Sequence, residues 1–281
     1  MLEHTFCHLP GIGASTEKKL WKAGVRTWGQ AREGWAGVVA PARAGLAAPL
    51  LEESAAALAE GDGRWFQDRL PTEECWRLYP DFCPTQGGRA AFLDIETTGL
   101  NHGDTITTAC IWDGETLHTY ARGQNLDRLA DDLMGYALLV SYNGRAFDVP
   151  FIEAEFGVRF PQAHLDLRSP LRQVGLTGGL KRIEHALGIG RGDVTGMDGY
   201  FAVLLWREYQ DSGDPRVLET LLAYNAADAA NLERLAVHAV NALLAKTPFA
   251  ATRTLPVPRV PELGLHAHPS AVERVRRRFG I

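Results

Sequence analysis

Ala90-Ala91-Phe92-Leu93-Asp94-Ile95-Glu96-Thr97-Thr98-Gly99 is an apolar run that ends in two acids separated by one residue. Residues 90–95 read as a buried strand, and because side chains alternate along a strand, Asp94 and Glu96 fall on one face. Two carboxylates this close raise each other's pKa unless a cation neutralises them. Hard oxygen donors of this kind suit Mg²⁺ or Mn²⁺. Taken alone, the pair reads equally well as Asp94 opening a turn beside a solvated Glu96.

Two further stretches change that balance. Ala137-Leu138-Leu139-Val140-Ser141-Tyr142 is a second strand-like run, delivering Asn143-Gly144 into a turn, with Asp148 near the start of the helix that follows. By itself Asp148 needs no role beyond interaction with that helix N-terminus. Residues 215–245 carry a helical pattern with Leu218, Leu221, Leu222, Leu232 and Leu235 as its apolar stripe. Tyr224 and Asp228 stand four apart, so they share a helix face and can address one site. Three acidic segments in this order point to a metal-dependent nuclease.

Asp94-x-Glu96, then Asn143-x-x-x-Phe147-Asp148, then Tyr224-x-x-x-Asp228 resembles the three exonuclease motifs of the Asp-Glu-Asp-Asp superfamily, tyrosine variant. More narrowly, residues 89–240 resemble the predicted exonuclease domain of uncharacterised bacterial ribonuclease H-like proteins, including Gly179-Leu180-Lys181-Arg182-Ile183-Glu184-His185-Ala186-Leu187-Gly188. The resemblance implies an α/β, ribonuclease H-like mixed sheet flanked by helices, and 3′ to 5′ exonuclease activity. It also implies that Asp94, Glu96, Asp148 and Asp228 are metal ligands and that Tyr224 orients the attacking water. The other branch of that superfamily uses a His close before the last Asp, and none lies between Tyr224 and Asp228. Two Mg²⁺ or Mn²⁺ ions about 4 Å apart would supply hydroxide at neutral pH and balance charge on the leaving oxygen. The expected partner is DNA or RNA, at single-stranded 3′ ends. The rival readings are a nucleic-acid-binding or scaffold protein that has lost activity, and a structure-specific endonuclease using the same metals. Intact Asp94, Glu96, Asp148, Tyr224 and Asp228 argue against the first.

The chain has 281 residues, 46% of them apolar, and a formal charge of −5. That length suits one medium domain and a smaller companion. Cys83-Pro84-Thr85-Gln86-Gly87-Gly88 marks the boundary, dividing a mainly helical region at 1–85 from an exonuclease domain at 86–246 and a proline-dotted tail at 247–281. Negative charge on a protein that must bind a polyanion is reconciled if bound cations invert the local field. No apolar stretch approaches the roughly 18 residues of a membrane span. Glu3 and His4 stand where a signal peptide would need a basic start and an apolar run. Cys7, Cys75, Cys83 and Cys110 form no Cys-x-x-Cys pair and read as reduced thiols, so a cytoplasmic location is expected.

Residues 9–28, beginning Leu9-Pro10-Gly11-Ile12-Gly13, resemble the hairpin and second helix of a helix-hairpin-helix motif. Gly11 and Gly13 would let backbone N–H groups approach a phosphate, with Ser15 or Thr16 capping the helix and Lys18 and Lys19 nearby. Only about eight residues precede the hairpin, too few for a full first helix. A purely structural glycine turn is the alternative. Residues 34–60 are Ala- and Leu-rich and read as helical packing support. Asn143 and Lys181 are further candidates for nucleic-acid contact, although Lys181 and Arg182 fit a solvated helix face better. Asp166 is expected to cap the turn after it. A basic amphipathic helix at 270–279 either touches nucleic acid or docks as a tail.

Overall fold

The computed structural model describes residues 1–101 and 103–281. Five strands among them form one mixed sheet: β1 (Ala90–Thr97), β2 (Ile106–Trp112), β3 (Leu117–Ala121), β4 (Leu138–Ser141) and β5 (Ala163–Asp166), in the order β3-β2-β1-β4-β5. β1 is the hinge of the topology, pairing antiparallel with β2 and parallel with β4. The β2–β3 turn forms at Asp113-Gly114 as its sequence demands. Asp113 Oδ1 accepts the N–H groups of Glu115 at 2.9 Å and Thr116 at 2.7 Å. Gly114 supplies the φ of +99° that a side chain would resist.

Alternation along β1 divides its side chains between two cores. Ala91, Leu93 and Ile95 pack with Ile111 and Leu139 under helices Leu129–Met134 and Asp148–Phe156. Ala90, Phe92, Asp94 and Glu96 lie on the other face, where Asp94 pairs across β2 with Cys110 and Glu96 with Thr108. The helix Pro215–Leu244 lies over that face. It starts as Pro at its first position and an Asp214 cap require, with the Asp214 side chain accepting the Arg216 N–H at 3.0 Å. Ala226 and Ala229, both fully buried against Cys110, let this helix approach the sheet closely. Trp112 Nε1 donates to Glu233 at 2.8 Å further along the same contact.

Residues 1–85 are helical, and they share a core with the sheet. Phe6, Leu20, Trp28, Phe66 and Tyr79 belong to one buried cluster with Phe92, Val140, Leu165 and Val240. The Tyr79 and Phe92 rings meet edge to face with centroids 6.2 Å apart. The exposed side of β5, an edge strand, is closed by one side chain: Gln67 donates to His164 O at 3.0 Å and accepts from His164 N at 2.7 Å. A buried Glu17–Arg77 pair at 2.8 Å ties the first turns to the segment Thr72–Leu78, with Glu17 also accepting the Phe6 N–H.

The hairpin-like segment leads into the helix Ala14–Lys22, preceded only by a single 3₁₀ turn at Leu2–His4. Ser15 and Thr16, expected as caps, sit inside the first turn. The cap position is Gly13, with no side-chain bond. Gly11 has φ +71°, a conformation that favours glycine, and a Cβ there would lie 2.9 Å from Nε of the flexible Arg43 side chain. The support expected over residues 34–60 is the helix Pro41–Glu60. At the other end, Pro269–Phe279 docks as a tail: Ala271 and Val275 are buried, Arg274 bonds Asp214 at 2.8 Å and Arg278 bonds Glu208 at 2.7 Å. All four cysteines are buried and free. Among the described residues no helix is long and apolar enough to cross a membrane.

Candidate active site

Asp94 and Glu96 come from the C-terminal half of β1, Asp228 from the middle of the long helix above it. The three offer carboxylate oxygens that all lie within 4.8 Å of one another. Asp228 is buried, while Asp94 and Glu96 are partly open. Burial first, then the negative charge of neighbouring carboxylates, Asp228 foremost among them, pushes the Asp94 and Glu96 carboxyls well above their usual range. Such a cluster is a donor set for a hard divalent cation, with Arg191 paired to Asp228 Oδ1 at its edge. The residues therefore fit the metal ions that the motifs imply.

Tyr224 is buried one turn before Asp228. Its phenol is driven far up by burial and then by Asp228, Glu96 and Asp94, so it keeps its proton throughout the working range. Lys181 Nζ donates to the Tyr224 oxygen, lies 4.5 Å from the centroid of its ring and stands 3.5 Å from Asp228 Oδ2. Lys181 thus faces the carboxylates, and neither a solvated helix face nor a free surface cation describes it.

Asp148 opens its helix as expected, yet it does not join the trio. Its Oδ1 accepts the N–H of Ile95, the residue between Asp94 and Glu96, at 3.1 Å. Burial, reinforced by the charges of Asp166 and Asp228, pushes its carboxyl up to about 7 against the pull of backbone N–H donors. The preceding turn is tightly made. Asn143 adopts φ +67°, and a Cβ at Gly144 would lie 2.3 Å from Ser141 Oγ. Asp166 caps more than the turn after it: its carboxylate accepts from Asn143 N at 2.9 Å, Arg145 N at 3.3 Å and Arg168 N at 3.0 Å. Asn143 sits at the C-terminal end of β4, its Oδ1 taken by Arg168. Gly11, Gly13 and Lys18 lie in the N-terminal region, apart from the three carboxylates.

Three residues at the site had no sequence signal of their own. Asn225 Nδ2 donates to Asp94 Oδ2 at 2.6 Å and to Asp94 O at 3.0 Å, clamping the long helix to β1. Arg191 pairs with Asp228 and, at 2.8 Å, with Glu184, while Asn231 holds Glu184 at 2.7 Å. Asn225 follows Tyr224 directly, so its neighbourhood was readable, but its face was not. Arg191 lies 37 positions from Asp228, and nothing local ties the two together.

Residues 91–240 match the family model described as the RNase_H superfamily. Among solved structures, a family B DNA polymerase from the hyperthermophilic archaeon Pyrobaculum calidifontis is similar at 17% identity and a TM-score of 0.41, over 56% of this chain and 24% of that one. The likeness therefore takes in about a quarter of the polymerase. No curated protein matches the sequence.

Proposed function

The chain belongs to the RNase H superfamily, and from that premise we propose that it is a metal-dependent 3′ to 5′ exonuclease acting on DNA or RNA. The observation that carries the proposal is the convergence of Asp94, Glu96 and Asp228 within 4.8 Å beneath a protonated Tyr224. Direction and preference for single-stranded ends rest on the motif resemblance.

In this reading Asp94, Glu96 and Asp228 would hold two Mg²⁺ or Mn²⁺ ions, and Asp148, whose Oδ1 is taken by the Ile95 N–H, would have only its other oxygen to offer them. When bound, such ions supply a hydroxide at neutral pH and offset charge on the leaving 3′ oxygen. The remaining work falls to the protein. Tyr224 cannot act as a base while protonated. With Lys181 donating to its oxygen, the phenol keeps its own proton to donate, and so can hold a water in line for attack. Asn225 fixes Asp94, and Asn231 with Arg191 fixes the helix face that bears Asp228. The catalytic unit we propose at residues 86–246 leans on residues 1–85 for one face of its core.

The test is a time course on 3′- and 5′-labelled single-stranded DNA and RNA with Mg²⁺, Mn²⁺ or chelator. The reading expects the 3′ label to leave first as mononucleotide and all cleavage to stop in chelator. Internal cuts appearing first would make the protein an endonuclease, and no cleavage with either metal would leave a binding protein.

A further inference from the structure

We infer that a track of unpaired cations, running from the Asn143 turn to the helix Ala14–Lys22, carries the phosphodiester backbone of the nucleic-acid strand whose end reaches the carboxylates. The inference rests on the nuclease reading for its choice of polyanion. Its evidence lies elsewhere on the molecule.

A cavity of about 450 Å³ opens at the C-terminal ends of β4 and β5, the end of the sheet to which Asp94 and Glu96 also point. Arg145, Arg168 and Arg172 line it, and its one acid is Asp166. Asp166 is already engaged by three backbone N–H groups, so it offsets the arginines only in part. A second cavity of about 320 Å³ is lined by Lys18, Lys22, Arg26 and Lys246, with Trp21 and Pro248 and no acid. The two are joined. Lys246 Nζ donates to the carbonyl of Gln173 at 3.3 Å, and Gln173 is the neighbour of Arg172 on the helix Arg168–Gln173.

None of these seven cations has an acidic partner at ion-pair distance among the described residues. On the C-terminal helix Arg274 and Arg278 are paired with Glu208, Asp211 and Asp214, while Arg276 and Arg277 have no such partner among the described residues, so it is the gathering of seven such cations around two cavities that marks the track. Like charges gathered without counter-charges raise one another's energy, and a regularly spaced polyanion relieves that repulsion along the whole row. The spacing suits a strand and not a single phosphate. Lys246 follows the end of the helix that carries Asp228, so at 1.5 Å per residue it lies about 27 Å from Asp228 along the axis. That span is about eight nucleotides at the ~3.4 Å spacing of a stacked strand.

The experiment measures binding of fluorescent DNA and RNA strands of about 4, 8, 12 and 16 nucleotides to the full-length protein in chelator across a salt series. Wild-type affinity should climb with length and level off once the strand passes Lys18 and Lys22. Lys18→Gln/Lys22→Gln removes two exposed charges from a helix whose buried face is untouched. It should make the salt slope shallower by about 1.4 and weaken the longer strands about 25-fold at 0.1 M salt, by the same factor for every sequence. Arg172→Gln gives an independent reading at the middle of the track, with a slope change of about 0.7. Wild-type slope and length dependence in all these variants, or a wild-type protein that binds no strand, overturns the track. Because binding is read without metal, cleavage of a 3′-labelled strand in Mg²⁺ judges the nuclease reading separately. Track-dependent binding without cleavage removes only the nuclease, and cleavage with unaltered variant binding removes only the track.

Discussion

Replacing Asp94 by Asn should make the protein more stable in chelator and less stable in saturating metal. Three carboxylates within 4.8 Å repel one another. At an effective dielectric of about 20, each ionised pair at that distance costs about 3.5 kcal/mol, and Asp94 takes part in two of the three pairs. Lys181 and Arg191 beside Asp228 offset some of this, and burial lets one of the cluster take up a proton instead of standing charged. The amide introduced by Asp94→Asn can still accept from Asn225, so the substitution loses only the charge assistance of that 2.6 Å bond, about 1 kcal/mol. The net gain without metal is then about 1–3 kcal/mol, or a melting temperature raised by roughly 2–10 °C. With Mg²⁺ or Mn²⁺ at about 100 times Kd, the wild type gains about 2.7 kcal/mol, and the variant, missing a ligand, gains much less. Thermal melts of both proteins in chelator and in metal should therefore cross, and cleavage by the variant should nearly vanish. A wild-type melting temperature indifferent to metal, together with a variant destabilised in chelator, would refute the reasoning.

Tyr224→Phe removes one hydroxyl and leaves the ring beneath Lys181, so single-turnover cleavage should slow by about 10- to 1000-fold with metal affinity unchanged; unaltered cleavage removes Tyr224 from the chemistry. Removing residues 1–85 uncovers Phe92, Val140 and Leu165 and the edge of β5, so the remainder should not melt cooperatively, and a sharp calorimetric transition from that fragment would contradict the shared core. His8 is buried beside Trp28 and Phe66, and burial lowers its pKa from 6.5 to about 3. A base with a depressed folded pKa takes up its proton first in the unfolded chain, so its share of stability falls as pH drops below 6.5 and continues to fall to about 3. Between pH 7 and 5 the stability advantage of wild type over His8→Asn should shrink by about 2 kcal/mol in urea titrations, and a constant difference would mean that His8 does not titrate in this way.

Local patterns in the sequence carried most of the fold, and the limits of that legibility have physical causes. β1 was readable because an apolar run acts over a few residues, and the Asp113-Gly114 turn between β2 and β3 is a signal just as local. The long helix was readable from its leucine stripe, although the alanines that bring it close to the sheet are silent in such a pattern. Asp94, Glu96, Tyr224 and Asp228 were legible as a set because each pair is bound by a local period, two along a strand or four along a helix. Asp148 was legible in position, but its bond to Ile95 N–H depends on how its helix meets β1. The boundary at Pro84 marked a change of composition and not of core, because burial joins residues that no window of sequence compares. Gly11 was read as a phosphate contact or a structural turn, and its left-handed φ, which favours glycine in either case, does not choose between them.

The distribution of charge explains how a chain of net charge −5 can hold a polyanion. Net charge sets the far field, whereas a bound strand samples potentials within about a Debye length of its phosphates. The acids of the C-terminal part are neutralised in place, as Asp214, Glu208 and Asp211 are by Arg274 and Arg278. The acids at the proposed catalytic centre are crowded together, where bound cations would make the site habitable for a phosphodiester. Along the proposed track Arg145, Arg168, Arg172, Lys246, Lys18, Lys22 and Arg26 stand without acidic partners among the described residues. A strand laid along them meets positive charge over its length and negative charge only at its end, where metal is required. On this arrangement binding survives chelation and catalysis does not, so mutations at the carboxylates and along the track should separate the two cleanly.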